Sequence, residues 1–199
     1  FADEQGYVTQ RLVDYYEERA KGGAGLIIVE AACVEFPLGR GFPRQLAISD
    51  DRFVGGLNDL VAAIHRHGAK AAIQLYHAGG VTPRSLAQAQ PVGPSPIRVP
   101  RGELTRELTA TEIAEKVGAF ARAARLAQKA GFDGVEIVAT GGYLVCEFLS
   151  RAWNKRQDGY GGTLTNRARF LLEIIGAIRG STSAGYPAWG RFLLEEHGV

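Results

Sequence analysis

The stretch GVEIVATGGYLVCEFLSRAWNKRQDGYGG, residues 134–162, changes character twice. Gly134 to Ala139 reads as a short strand buried on both faces. Two glycines, Gly141 and Gly142, break it, and Tyr143 follows at once. From Asn154 to Gly162 turn formers crowd together, the composition of a structured loop closed by glycines. A core strand that opens into a long polar loop at its C-terminal end is a pattern of α/β proteins, which gather their active sites there.

Outward from this segment the apolar period switches repeatedly between strand and helix. Residues 9–21 predict a helix with Thr9 as N-cap, and LIIV within GAGLIIVEA predicts a buried strand. Phe53, Leu57, Leu60, Val61 and Ile64 fall at helical spacing, with Gly68 as the stop. KAAIQLYHAGG predicts the second strand. Thr109 and Glu112 have capping-box spacing and open a helix with Ile113, Val117, Phe120 and Ala124 on one face, ending near Gly131. After GVEIVA, residues Phe170, Leu171, Ile174, Ile175 and Ile178 mark a fourth helix, and PAWGRFLL predicts a fourth strand.

Strands alternating with helices predict a parallel sheet. A (β/α)8 barrel and a doubly wound sheet both satisfy that order. No G-x-G-x-x-G follows a strand, which weighs against a dinucleotide-binding unit. The segment from His77 to Leu108, with Pro83, Pro91, Pro94, Pro96 and Pro100, predicts a long loop at a strand's C-terminal end, of the functional or disordered kind.

The totals exclude several classes. The 199 residues are 46% hydrophobic and 22% charged, with a net charge of +2, which gives no reason to expect nucleic acid or an acidic membrane surface as partner. No apolar run approaches the ~20 residues of a membrane helix, and no secretory signal is visible. Cys33 and Cys146 have no disulfide framework and no metal-ligand spacing, so reduced thiols, a cytoplasmic location and no metal site are the expectations. The chain contains no methionine, begins at Phe1 and ends just after an apolar run, as a piece cut at both ends from a longer chain would.

Four residues could carry chemistry or hold a ligand. Gln74 is a polar residue inside a strand, costly to bury unless a neighbouring backbone or a ligand satisfies it. Tyr143 at the strand mouth is either an aromatic packed under its loop or a proton donor, since a phenol of pKa ~10 keeps its proton at neutral pH. Arg191, between Trp189 and Phe192 in the last strand, is either salt-bridged or aimed at an anionic or electron-rich group. His77 by itself reads as a packed or solvated histidine. The fourth, Ala31, enters only through a resemblance.

GLIIVEA with GRG downstream, HRHGAKAAIQLYHAG, and above all GFDGVEIVATGGYLVCEFLS with NKRQDGYGGTLTNRARFLLEII resemble the old yellow enzyme family of FMN-dependent reductases. The resemblance spans nearly the whole chain but only about the second to fifth strands of that family's (β/α)8 barrel. It therefore implies that residues 1–199 form one partial, FMN-binding barrel domain. It implies that Ala31 and Gln74 contact the flavin ring, Gln74 by hydrogen bonds to its pyrimidine edge. Arg191 would stand near the edge that turns anionic on reduction, and Tyr143 would be the proton donor. NAD(P)H would be the reductant, and the C=C bond of an α,β-unsaturated carbonyl or enoyl compound the substrate.

The departures narrow this. Many members hold the substrate carbonyl with a His and a second His or Asn, five and two residues before the tyrosine. Here those positions are Val138 and Gly141, and Arg151 stands where a proline usually follows the serine. The chain is most similar to the 2,4-dienoyl-CoA and 2-enoate reductase branch, which implies an iron–sulfur cluster and FAD in further parts of the protein. Two alternatives stay open: an amine dehydrogenase-like member of the family, and a truncated copy without catalysis. Oligomeric state is not legible.

Overall fold

A computed structural model of the chain describes residues 1–98 and 103–193. Pro100 of the proline-rich loop and Leu194 of the fourth predicted strand lie outside the described residues.

The chain order is helix α1 (Gln10–Lys21), strand β1 (Leu26–Cys33), α2 (Val54–His65), β2 (Lys70–Tyr76), α3 (Arg84–Ala87), β3 (Val92–Gly93), β4 (Arg106–Glu107), α4 (Ala110–Lys129), β5 (Gly134–Ala139), α5 (Leu144–Leu149), α6 (Leu164–Ser181) and β6 (Ala188–Phe192). Strands β1, β2, β5 and β6 form one sheet in that order, and every neighbouring pair is parallel.

The helix ends follow local chemistry. Thr9 caps α1 through Leu12 N–H. Thr109 and Glu112 exchange side-chain and backbone bonds in a full capping box at α4, and Arg106 grips the Glu112 carboxylate. Thr163 caps α6.

Alternation along the strands decides the architecture. Ile27, Val29, Ala71, Ile73, Leu75, Val135 and Ile137 pack into one core with Leu12, Leu57, Phe120, Phe170 and Ile174 of the helices. Leu26 and Ile28, on the other face of β1, are exposed. The helices thus cover one face of a sheet whose strands follow one another without reversal. A doubly wound sheet would reverse its strand order and carry helices on both faces. One-sided cover with sequential parallel strands is the geometry of a barrel sector.

Three expectations need correction. The run LIIV is buried on one face only, because Leu26 and Ile28 point away from the helices and are exposed. The segment His77–Leu108 is not a structureless loop: it holds a 3-10 turn at Gly79–Val81, the short α3, and a two-stranded sheet of β3 with β4. An extra helix, α5, follows Tyr143 directly. Six residues make too short a window for helical periodicity to stand out.

Candidate functional site

The site lies at the C-terminal ends of the four strands, and β1 contributes first. Between Val29 and Ala32 its register against β2 slips, so that Glu30 and Ala31 together stand opposite Gln74. Such a bulge re-aims a side chain and frees a backbone N–H. The freed N–H of Glu30 donates to Tyr16 Oη at 2.8 Å, and the Ala31 carbonyl accepts from Gln45 Nε2 at 3.3 Å. Ala31 is thereby turned into a small cluster with Tyr76, Ala78, Val81, Val138 and Tyr143.

On β2, Gln74 does find a partner. It is a side chain rather than backbone: its Nε2 donates to Glu136 Oε1 at 2.6 Å. Trp189 Nε1 donates to the other oxygen, Oε2, at 2.9 Å. The three residues are register partners across β2, β5 and β6, so the row is built by the parallel ladder itself. Two donors explain how a carboxylate only 6% exposed sits within a strand.

The lip above β5 turns on Gly141 and Gly142, both at positive φ (68° and 73°), where a side chain is strained. Tyr143 follows, half-buried, as the N-terminal flank of α5. Its ring meets that of Tyr76 edge-to-face, with centroids 4.5 Å apart.

Beneath the lip, Leu144 N–H donates to the backbone carbonyl of His77 at 3.1 Å. The His77 ring is fully buried and its tautomer is set by its neighbours. Nδ1 accepts from Gly79 N–H at 3.0 Å, so Nε2 carries the hydrogen and donates to Glu35 Oε2 at 3.1 Å. Burial lowers the imidazole pKa and outweighs the pull of Glu35, in keeping with a neutral ring. Lys116 Nζ donates to Glu35 Oε1 at 2.8 Å. Burial pushes the Glu35 carboxyl upward, but the bonds from His77 and Lys116 overcome it and hold it at about 2.

Glu147, on α5 one turn beyond Tyr143, is also buried. Its Oε1 accepts Gly80 N–H at 2.7 Å, and its Oε2 has no partner. Burial drives this carboxyl well above the usual range despite the N–H groups of Gly80 and Val81. Farther out, the buried Arg156 donates to the Pro94 and Leu108 carbonyls and pairs with Asp158 and Glu107. It locks the proline-rich loop to the loop before α6, so NKRQDGYGG supports the lip rather than lining it.

Arg191 is exposed near the end of β6, in register with Val138, and pairs with no acidic group among the described residues. Ala31 and Tyr143 therefore share one cluster. Gln74 lies two residues before Tyr76 on the same strand face, and Arg191 is next to Val138 across the ladder. All four residues singled out from sequence come together at one end of one sheet face. Glu136, Glu147 and Tyr76 were missed. An acidic residue inside an apolar strand was the available signal for Glu136.

Residues 2–191 match the family described as NADH:flavin oxidoreductase / NADH oxidase. This chain belongs to that family. Relatives include an NADH oxidase of Thermoanaerobacter brockii, 43% identical over 98% of this chain and 30% of that protein. An NADPH dehydrogenase of Halalkalibacterium halodurans is 46% identical over 84% of this chain and 48% of the relative. Among solved structures, a 2-naphthoyl-CoA reductase in complex with 2-naphthoyl-CoA superposes with a TM-score of 0.91 at 36% identity, over 96% of this chain and 31% of that one. Morphinone reductase in complex with tetrahydroNAD gives 0.89 at 31% identity, over 96% and 56%. The chain thus spans about a third to a half of these NADH:flavin oxidoreductase relatives, and its fold is the corresponding portion of their (β/α)8 barrel.

Proposed function

We propose that the full-length protein is an FMN-dependent oxidoreductase that uses NAD(P)H to reduce the C=C bond of an α,β-unsaturated carbonyl or enoyl compound, with Tyr143 as proton donor. One observation carries this reading: a half-buried phenol on a two-glycine lip shares the strand ends with an oriented amide and a guanidinium that has no acidic partner among the described residues.

The residues present fit a flavin. Ala31, aimed by the bulge, leaves room for a flat ring. Glu136 takes one N–H of Gln74 and so fixes the amide plane, leaving a second N–H and the carbonyl oxygen as a donor–acceptor pair suited to a uracil-like edge. Arg191, without an acidic partner among the described residues, suits an edge that gathers negative charge. FMN, when bound, supplies hydride gained from NAD(P)H.

Tyr143 then has a defined task. Hydride addition at the β carbon leaves an enolate on the substrate, and a phenol O–H delivers the proton to the α carbon. Val138 and Gly141 offer no side-chain donor, so the carbonyl is held by other groups. The acyl-thioester version of the substrate draws support from the reductase solved with 2-naphthoyl-CoA. An iron–sulfur centre and FAD, if the full-length protein carries them, would belong to its other parts.

Rapid-mixing kinetics of the full-length protein test this. Tyr143→Phe is expected to slow alkene reduction by ~10²-fold or more while leaving flavin reduction by NAD(P)H unchanged. Equal slowing of both half-reactions would overturn the role of Tyr143.

A further inference from the structure

Tyr76 has no part in the chemistry above, yet its placement is unusual. The ring is 1% exposed on the sheet face that bears Gln74, and it packs edge-to-face on Tyr143. Its hydroxyl is buried and closes no well-aligned hydrogen bond among the described residues, although the Tyr143 side chain acts on it as a hydrogen-bonding neighbour. A buried phenol normally finds a partner. On one side the oxygen abuts Gly41: a methyl group at that position would lie 2.2 Å from Tyr76 Oη. The oxygen is thus shut off from solvent. Burial pushes its pKa upward, and after burial Tyr143 acts on it most strongly, ahead of Cys33 and Glu147.

We propose that Tyr76 is a positioning residue for Tyr143: its buried O–H donates a hydrogen bond to the Tyr143 oxygen as that oxygen gives up its proton. The proposal rests on Tyr143 as proton donor. In the step, the Tyr143 O–H bond breaks as a C–H bond forms at the substrate α carbon, and Tyr76 keeps its own proton. Tyr143, half-buried, regains a proton from water. The neighbouring cluster is apolar, with Ala31, Val138 and Val81, and would disfavour a bare phenolate. A hydrogen bond to a developing phenolate is charge-assisted and stronger than one to a neutral phenol, so it favours the transition state over the resting state. An O–H with no aligned acceptor at rest is what such a device requires.

The other ionisable groups bearing on the pair are few. Cys33 of β1 is raised to about 12 by burial, and Glu147 of α5 is raised well above its usual range. For both, burial favours the uncharged form. Arg40, next to Gly41, lies over the Phe36 ring, and Arg191 stands on β6.

The test reads Tyr143 ionisation directly, through its near-ultraviolet tyrosinate band in the full-length protein. The band is isolated as the difference between paired proteins with and without Tyr143→Phe. Tyr76→Phe is expected to raise the Tyr143 midpoint by about one unit and slow alkene reduction ~10-fold, with flavin reduction unchanged. Gly41→Ala keeps both phenols but displaces the Tyr76 hydroxyl. It is expected to shift the midpoint the same way, and it carries the test where Tyr76→Phe fails to fold. A midpoint unmoved in a folded Tyr76→Phe or Gly41→Ala protein would overturn the proposal, even with Tyr143→Phe inactive. Alkene reduction surviving Tyr143→Phe would instead overturn the proposed function.

Discussion

Glu35 lies 42 residues from His77 and 81 from Lys116 in the sequence, yet its two oxygens take one donor from each. The cost of burying this carboxylate is offset because both donors are themselves buried and fixed. Its folded pKa of about 2 lies below the ordinary 4.5, so its stabilisation is fully present above that ordinary value and is lost as pH falls through about 2. The shift corresponds to about 3 kcal/mol as an order of magnitude. Glu35→Gln also strands the buried Lys116 charge. Urea unfolding of the full-length protein is expected to find the variant less stable by about 3 kcal/mol at neutral pH, with the gap closing toward pH ~2. Glu147 has the opposite sign. Its raised pKa means that its contribution is present below the ordinary carboxylate range and is lost as pH rises. Glu147→Gln keeps the acceptor for Gly80 N–H. Thermal melts should place it within about 1 kcal/mol of wild type in mild acid and above wild type in mild alkali.

At the scale of elements, two loops are tied together because Arg156 reaches four partners. Arg156→Lys loses the planar fork that serves them together. Limited proteolysis of the variant is expected to cut within residues 84–107 and 151–162, with α4 and α6 left intact. Gly161→Ala should do the same more severely, since its methyl would overlap the Arg156 carbonyl. Thr109→Ala removes half of the capping box and should cost about 1 kcal/mol in chemical unfolding, without altering the loops. The capping box was legible in the sequence because its partners are three residues apart. So was GVEIVA, whose apolar run reports burial on both faces directly. The partners of Gln74, Glu35 and Tyr76 were not legible, because they lie 62, 81 and 67 residues away and meet only in the folded chain. Likewise β3 and β4 are flanked by bonds from Arg156 to Pro94, Glu107 and Leu108 rather than marked by a pattern of their own.

For the molecule as a whole, apolar alternation could not separate a barrel from a doubly wound sheet. Leu26 and Ile28 are apolar like Ile27 and Val29, and only the packed structure shows that helices cover just one of the two faces. The uncovered face and the strand edges have a practical outcome. In the described sheet β1 and β6 each have a pairing partner on one side only, and Leu26, Ile28 and Phe192 are 50%, 39% and 49% exposed. Unpaired edges next to exposed apolar side chains invite association. Expressed as these 199 residues, the protein is expected to form soluble oligomers or aggregates by light scattering.

The bulge in β1 carries a lesson for anyone mapping this protein by mutation. The aim of Ala31 depends on a backbone N–H captured by Tyr16, and Tyr16 belongs to the helix layer behind the sheet. In a saturation screen scored on turnover, Tyr16 should therefore light up among the residues of the mouth, and a search confined to positions lining the cavity would pass it by.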